Sequence, residues 1–146
     1  RALDPNTPAL ERRGAYEASA ASAAEALERA PARTETWLRL ATARAILREE
    51  PDDVIAAWKM SVFTGRTHSA LLVQRTGLGL LYAGEMDAEA RAMLRDQLLL
   101  AWRIRSGALV PVVARRDPEL VTVRALLADN DPTTLAEIEE RLEGLR

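Results

Sequence analysis

Ala26-Leu27-Glu28-Arg29-Ala30-Pro31, running into Thr34-Glu35-Thr36-Trp37-Leu38-Arg39-Leu40-Ala41, is the stretch that decides the fold. The run from Leu10 to Ala30 is built of strong helix formers, with Ala at 15, 18, 20, 21, 23, 24, 26 and 30, and Pro31 ends it because proline lacks the N–H and clashes with the preceding turn. Thr34 then stands as an N-cap. Trp37, Leu40, Ala41, Ala45 and Leu47 follow helical spacing over roughly 35–49. Two helices joined at a proline make a helical hairpin.

The same punctuation recurs downstream. Pro51-Asp52-Asp53 opens a third helix, about 53–63, with Val54, Ala57, Trp58 and Val62 on one face and Gly65 as its stop. A fourth helix is expected from about Ser69 to Ala83. Gly77 and Gly79 each cost it about 1 kcal/mol relative to Ala, which points to close approach of a neighbouring helix. Asp87 caps a fifth helix, about 88–105, whose stripe of Ala90, Met93, Leu94, Leu98, Ala101 and Trp102 is amphipathic. Leu109–Ala114 reads as a short apolar turn of helix, kinked or started at Pro111. Asp117-Pro118 opens a helix to about Ala128, and Asp131-Pro132 opens the last one. Thr134 and Glu137 offer an alternative capping box there, and Glu137–Arg141 an i,i+4 ion pair. No period-2 alternation competes, so the fold class is all-α, with about seven helices.

Composition agrees. The chain has 146 residues, 48% hydrophobic and 29% charged, which is a globular rather than a disordered balance. Aromatic residues make up only 4%, so the core must be built from Ala, Leu and Val, small enough for helices to approach closely. One domain is expected over 1–146: a lead-in at 1–9, a hairpin stack over 10–105, and shorter C-terminal helices over 106–146.

Trp37-Leu38-Arg39-Leu40-Ala41 resembles the tetratricopeptide (TPR) pattern of Trp, two residues, then Leu-Gly, with Ala41 for the glycine and Arg44 where Tyr is usual. Arg75-Thr76-Gly77-Leu78-Gly79-Leu80-Leu81-Tyr82 resembles a second copy that keeps Leu-Gly and Tyr and has Arg75 for the Trp. The resemblance covers roughly residues 15–105. It implies a TPR-like right-handed stack of antiparallel hairpins acting as a non-catalytic protein-interaction scaffold, with a partner groove of Leu38, Thr42, Ile46, Thr76 and Leu80. The Lys, Arg and Asn with which one TPR subfamily clamps a peptide carboxylate are missing there. The groove would therefore take a helix or an apolar segment of another protein, including a membrane protein. The competing reading, favoured by a small domain's need for a core, buries these side chains under the C-terminal helices. Met60–Gly65 and Leu98–Arg103 are also similar to small proteobacterial envelope-associated proteins. That likeness implies a periplasmic or membrane-associated bacterial setting and, as an alternative function, an accessory or regulatory part in envelope polysaccharide assembly.

Chemistry is poorly served by the residues available. There is no Cys and one His, His68, so Cys-based and two-His metal sites are excluded. No strained nucleophile turn accompanies Ser61 or Ser69, and no Lys-Ser/Thr follows Gly77-Leu78-Gly79 to make a phosphate loop. Glu49, Glu50, Asp52 and Asp53 cluster at a helix start, where acids favour the dipole. A small enzyme using carboxylates is the alternative from another class. The net charge of −2, and the lack of aromatics among Arg103, Arg105, Arg115 and Arg116, speak against nucleic acid. No cofactor and no membrane span are expected. Leu135, Ile138, Leu142 and Leu145 form a narrow stripe suited to self-association into a homo-oligomer. The chain opens on Arg1 and not Met, so an upstream signal peptide, membrane anchor or further domain is expected.

Overall fold

A computed structural model of the chain describes residues 9–145. Among these the regular secondary structure is all helical, with no strand. Seven α-helices follow one another: α1 (Ala9–Arg29), α2 (Thr34–Ile46), α3 (Pro51–Thr64), α4 (Leu72–Tyr82), α5 (Ala88–Arg116), α6 (Val121–Leu127) and α7 (Pro132–Glu143). Single 3₁₀ turns, Ser69–Leu71 and Ala83–Glu85, flank α4. The lead-in expected over 1–9 lies, up to Pro8, outside the described residues. Two compact units form, the first closing at Gly65 and the second opening at Arg66.

In the first unit, α2 packs on both α1 and α3. The connections are too short for anything but antiparallel neighbours. The joint at Pro31 is held by a side chain: the Trp37 indole N–H donates to the Pro31 carbonyl at 2.7 Å. Thr34 is not the N-cap. It is the first helical residue, and Arg33 precedes it in extended geometry without a side-chain cap. The Thr34 hydroxyl instead donates across the hairpin to the Ser61 carbonyl at 2.6 Å, where the packing of α2 on α3 brings an acceptor. That approach accounts for Gly65. Its φ of −163° is ordinary, but a Cβ there would lie 2.7 Å from Thr34 side-chain carbons.

α2 stops at Ile46, short of the expected 49, because Arg48 takes a φ of 55°. The Glu49 N–H reaches back to the Arg44 carbonyl and the Arg48 N–H to the Ala45 carbonyl, each at 3.1 Å. This is the Schellman arrangement, in which the left-handed residue is usually Gly.

In the second unit, α4 packs on α5, and α7 on α5 and α6. α5 runs past the expected end at 105 but loses helical geometry at Arg105 (φ −136°, ψ 40°). The break falls before Pro111 and beside Ser106-Gly107, a weak pair one turn ahead of a residue that cannot bond to Gly107. α5 therefore has two arms, and both reach α4. The first brings Gln97 to Arg75, with Arg75 Nη1 donating to Gln97 Oε1 at 2.9 Å. The second brings Val112 to Gly77, where an added Cβ would sit 2.8 Å from Val112 Cγ1. Positions two apart on a helix point about 200° apart, so α4 is held on opposite sides. Leu72, Arg75, Thr76, Gly77, Gly79 and Leu80 are accordingly all buried.

The starts of α5, α6 and α7 follow acids, that of α6 with a shift, whereas Glu50 before α3 makes no side-chain cap bond. Asp87 Oδ1 accepts from the Ala90 N–H at 2.8 Å. Asp117 caps α6 from farther upstream than expected: the Leu120 N–H closes a turn onto the Asp117 carbonyl, and the carboxylate accepts from Val123 N–H at 2.8 Å. The helix thus begins at Val121 rather than at Pro118. Asp131 accepts from the Thr134 N–H at 3.0 Å and its hydroxyl at 2.8 Å, so it is the N-cap and the Thr134–Glu137 box is not formed.

Candidate interaction surfaces

The expected groove residues fall on two helices, one in each unit. On α2, Leu38 is buried, Thr42 is half-buried with its hydroxyl donating to the Leu38 carbonyl at 2.8 Å, and Ile46 is 45% exposed. On α4, Thr76 and Leu80 are buried. Of the five, Ile46 is the one that meets solvent directly. The C-terminal stripe is similarly turned inward. Ile138 and Leu142 are buried and Leu135 half-buried on an α7 that packs against α5 and α6, which leaves Leu145 as its exposed member, at 62%.

The expected Glu137–Arg141 pair gives way to contacts with α5. The Trp102 indole N–H donates to Glu137 Oε2 at 2.8 Å, and the Arg141 guanidinium lies over the Trp102 ring, 5.6 Å from its centroid. Trp102, Glu137, Glu140, Arg141, Gly144 and Leu145 line a depression of about 560 Å³. Trp102, Glu137 and Arg141 already answer one another there.

A second depression, also about 560 Å³, is different. It opens between the first turns of α1 and the end of α2, over Tyr16, Ile46 and Leu47, with Arg12, Arg13 and Arg48 around it. Arg13 Nε pairs with Glu17 at 3.0 Å. Among the described residues the side chains of Arg12 and Arg48 have no acceptor. α1 leaves this region open, since none of its residues from 9 to 22 is buried. Sequence reasoning did not assemble this site, because Arg12 and Arg48 are brought together only by the α1–α2 turn.

It also missed a buried network in the second unit. Arg75 is fully buried, and burial draws its guanidinium below its ordinary pKa. Gln97, also fully buried, accepts from Arg75 and donates to the Arg66 carbonyl at 3.1 Å. Arg66 in turn grips Asp96 with two bonds, at 2.8 and 2.6 Å. This set ties α4, α5 and the start of the unit together and is structural. Its one visible trace in the sequence is a charged residue, Arg75, within the otherwise uncharged run of α4.

His68 is half-buried at the turn before α4, and its carbonyl accepts from Leu71. Asp52 and Asp53 are exposed in the first turn of α3 behind Pro51, and Glu49 lies 3.6 Å from Arg44. Among the described residues no group of three or more His, Asp or Glu is placed to hold a metal ion, and no helix is long and apolar enough to cross a membrane. No family model matches the chain, nor does any curated protein or solved structure.

Proposed function

We propose that the chain is a non-catalytic protein-interaction scaffold of TPR-like type, which recognises a segment of another protein by shape and apolar burial. The observation that carries the reading is the open depression between α1 and α2. It has an apolar floor of Tyr16, Ile46 and Leu47 on a hairpin whose joint is fixed by the Trp37–Pro31 hydrogen bond. Rigid hairpins with an exposed apolar recess suit a partner helix or extended segment. The partner surface in this reading moves from the five-residue groove to the α1–α2 edge and keeps Ile46 from it.

Affinity capture with cross-linking tests this. A bound partner should cross-link to α1 or the end of α2, and Ile46→Glu should abolish capture with far-ultraviolet circular dichroism unchanged. Cross-links confined to other helices, or capture indifferent to Ile46→Glu, would overturn the reading.

A further inference from the structure

We infer that the α1–α2 depression receives an acidic segment of a partner protein, carrying about two carboxylates beside an apolar side chain; this rests on the scaffold reading above. Three guanidiniums meet at one opening, and a single acid, Glu17, is bonded to one of them. The opening is lined by three cations and no anion, in a chain whose net charge is −2. That contrast selects the ligand. A membrane or a nucleic acid is a large anion and meets the whole negative chain, whereas a short segment seated in the opening lies nearest the guanidiniums that line it. Guanidinium matches carboxylate with paired, charge-assisted bonds. The volume, about 560 Å³, lies in the range of ligand pockets and exceeds the needs of a bare ion. The floor of Tyr16, Ile46 and Leu47 supplies an apolar seat beside the charges.

Arg48 adds an independent argument. It holds a left-handed backbone position, φ 55°, which glycine would fill without steric penalty. Leu120 holds a like position with its side chain buried in the core, whereas the Arg48 side chain is exposed and lines the depression.

The test separates binding from folding. Random peptides displayed on phage are selected on the wild-type chain and counter-selected on the Arg12→Gln/Arg48→Gly double variant. Selected peptides are then measured by fluorescence anisotropy, alongside Glu→Gln and phosphoserine versions and phosphatidylserine vesicles. Enriched peptides should carry two Asp or Glu next to Leu, Ile or Phe. Affinity should fall about tenfold for each arginine removed, and again with Glu→Gln and with added salt. Arg48→Gly leaves the cap geometry satisfied, so its loss of binding cannot come from misfolding. Enrichment without acidic residues, no enrichment, equal binding to the double variant, or tighter binding of phosphoserine peptides or vesicles would each overturn the inference. A captured partner that is lost with Ile46→Glu but retained by the double variant would overturn it while leaving the scaffold reading standing.

Discussion

Gly77→Ala puts the packing of α4 to a quantitative test. In a free helix the change is stabilising by about 1 kcal/mol, because Ala gives up less backbone entropy. At Gly77 the new Cβ would lie 2.8 Å from Val112 Cγ1, inside any real carbon–carbon contact. A valine methyl on a helix cannot swing away, so the arms of α5 must shift, and such overpacking costs about 1–3 kcal/mol. The expected net effect is a loss of about 0–2 kcal/mol. Val112→Ala alone should cost about 1 kcal/mol, for methyl groups on a half-buried side chain. When the two changes are made together, the methyl added on α4 occupies the space that the valine side chain leaves, and the helix gain is realised. The double-variant cycle in urea unfolding, followed by circular dichroism, should therefore show a coupling of about 1–3 kcal/mol in the favourable direction. Gly14→Ala is the control: nothing lies within 4 Å of its Cβ position, and it should stabilise by about 0.5–1 kcal/mol. Additivity of Gly77→Ala and Val112→Ala to within about 0.5 kcal/mol would refute the close approach of the second arm to α4.

Other outcomes follow from single residues. Arg48→Gly should raise stability by about 1 kcal/mol, since the left-handed penalty of about 1–2 kcal/mol exceeds glycine's entropic cost; a lower urea midpoint would contradict the cap assignment. Thr76 is fully buried and its hydroxyl has no hydrogen-bond partner among the described residues, so Thr76→Val, of nearly the same shape, should stabilise by about 1 kcal/mol; a comparable loss would reveal a hidden acceptor. The hydrogen bond from the Thr134 N–H, then that from its hydroxyl, holds the Asp131 carboxyl below the usual carboxylate range. Its support of α7 is thus complete above that range and fades as pH falls through the lowered value. The stability gap between wild type and Asp131→Ala should close in acid, and an Asp131 titration by NMR at or above the ordinary value would contradict this.

Local signals read well because they are local. Proline ends α1, Asp87 and Asp131 open their helices, and the glycine at 77 announced a close neighbour. What stayed hidden depended on residues far apart in the chain. Thr34 looks like a cap until the hairpin offers it the Ser61 carbonyl. Arg48 carries no turn signature, because the left-handed position is forced on a residue type that seldom takes it. Arg75 finds Gln97, 22 residues on, only after α4 and α5 pair. The groove suffered most: helical spacing alone cannot tell a core face from a displayed one, and Leu38, Thr76 and Leu80 proved to be buried.

The break at Arg105 also lets one helix close on α4 twice. Arg75 meets Gln97 across a short hairpin, a closure that is entropically cheap. Val112 must return to Gly77 over about 35 residues, and it can do so only once a straight helix has given way at Arg105. The longer span costs only about 0.4 kcal/mol more in chain entropy, and Leu109, Val110 and Val113 are all buried. The arm beyond Arg105 is thus a second clamp on α4, and amide protons beyond Ser106 are expected to be protected as the Arg75–Gln97 layer is.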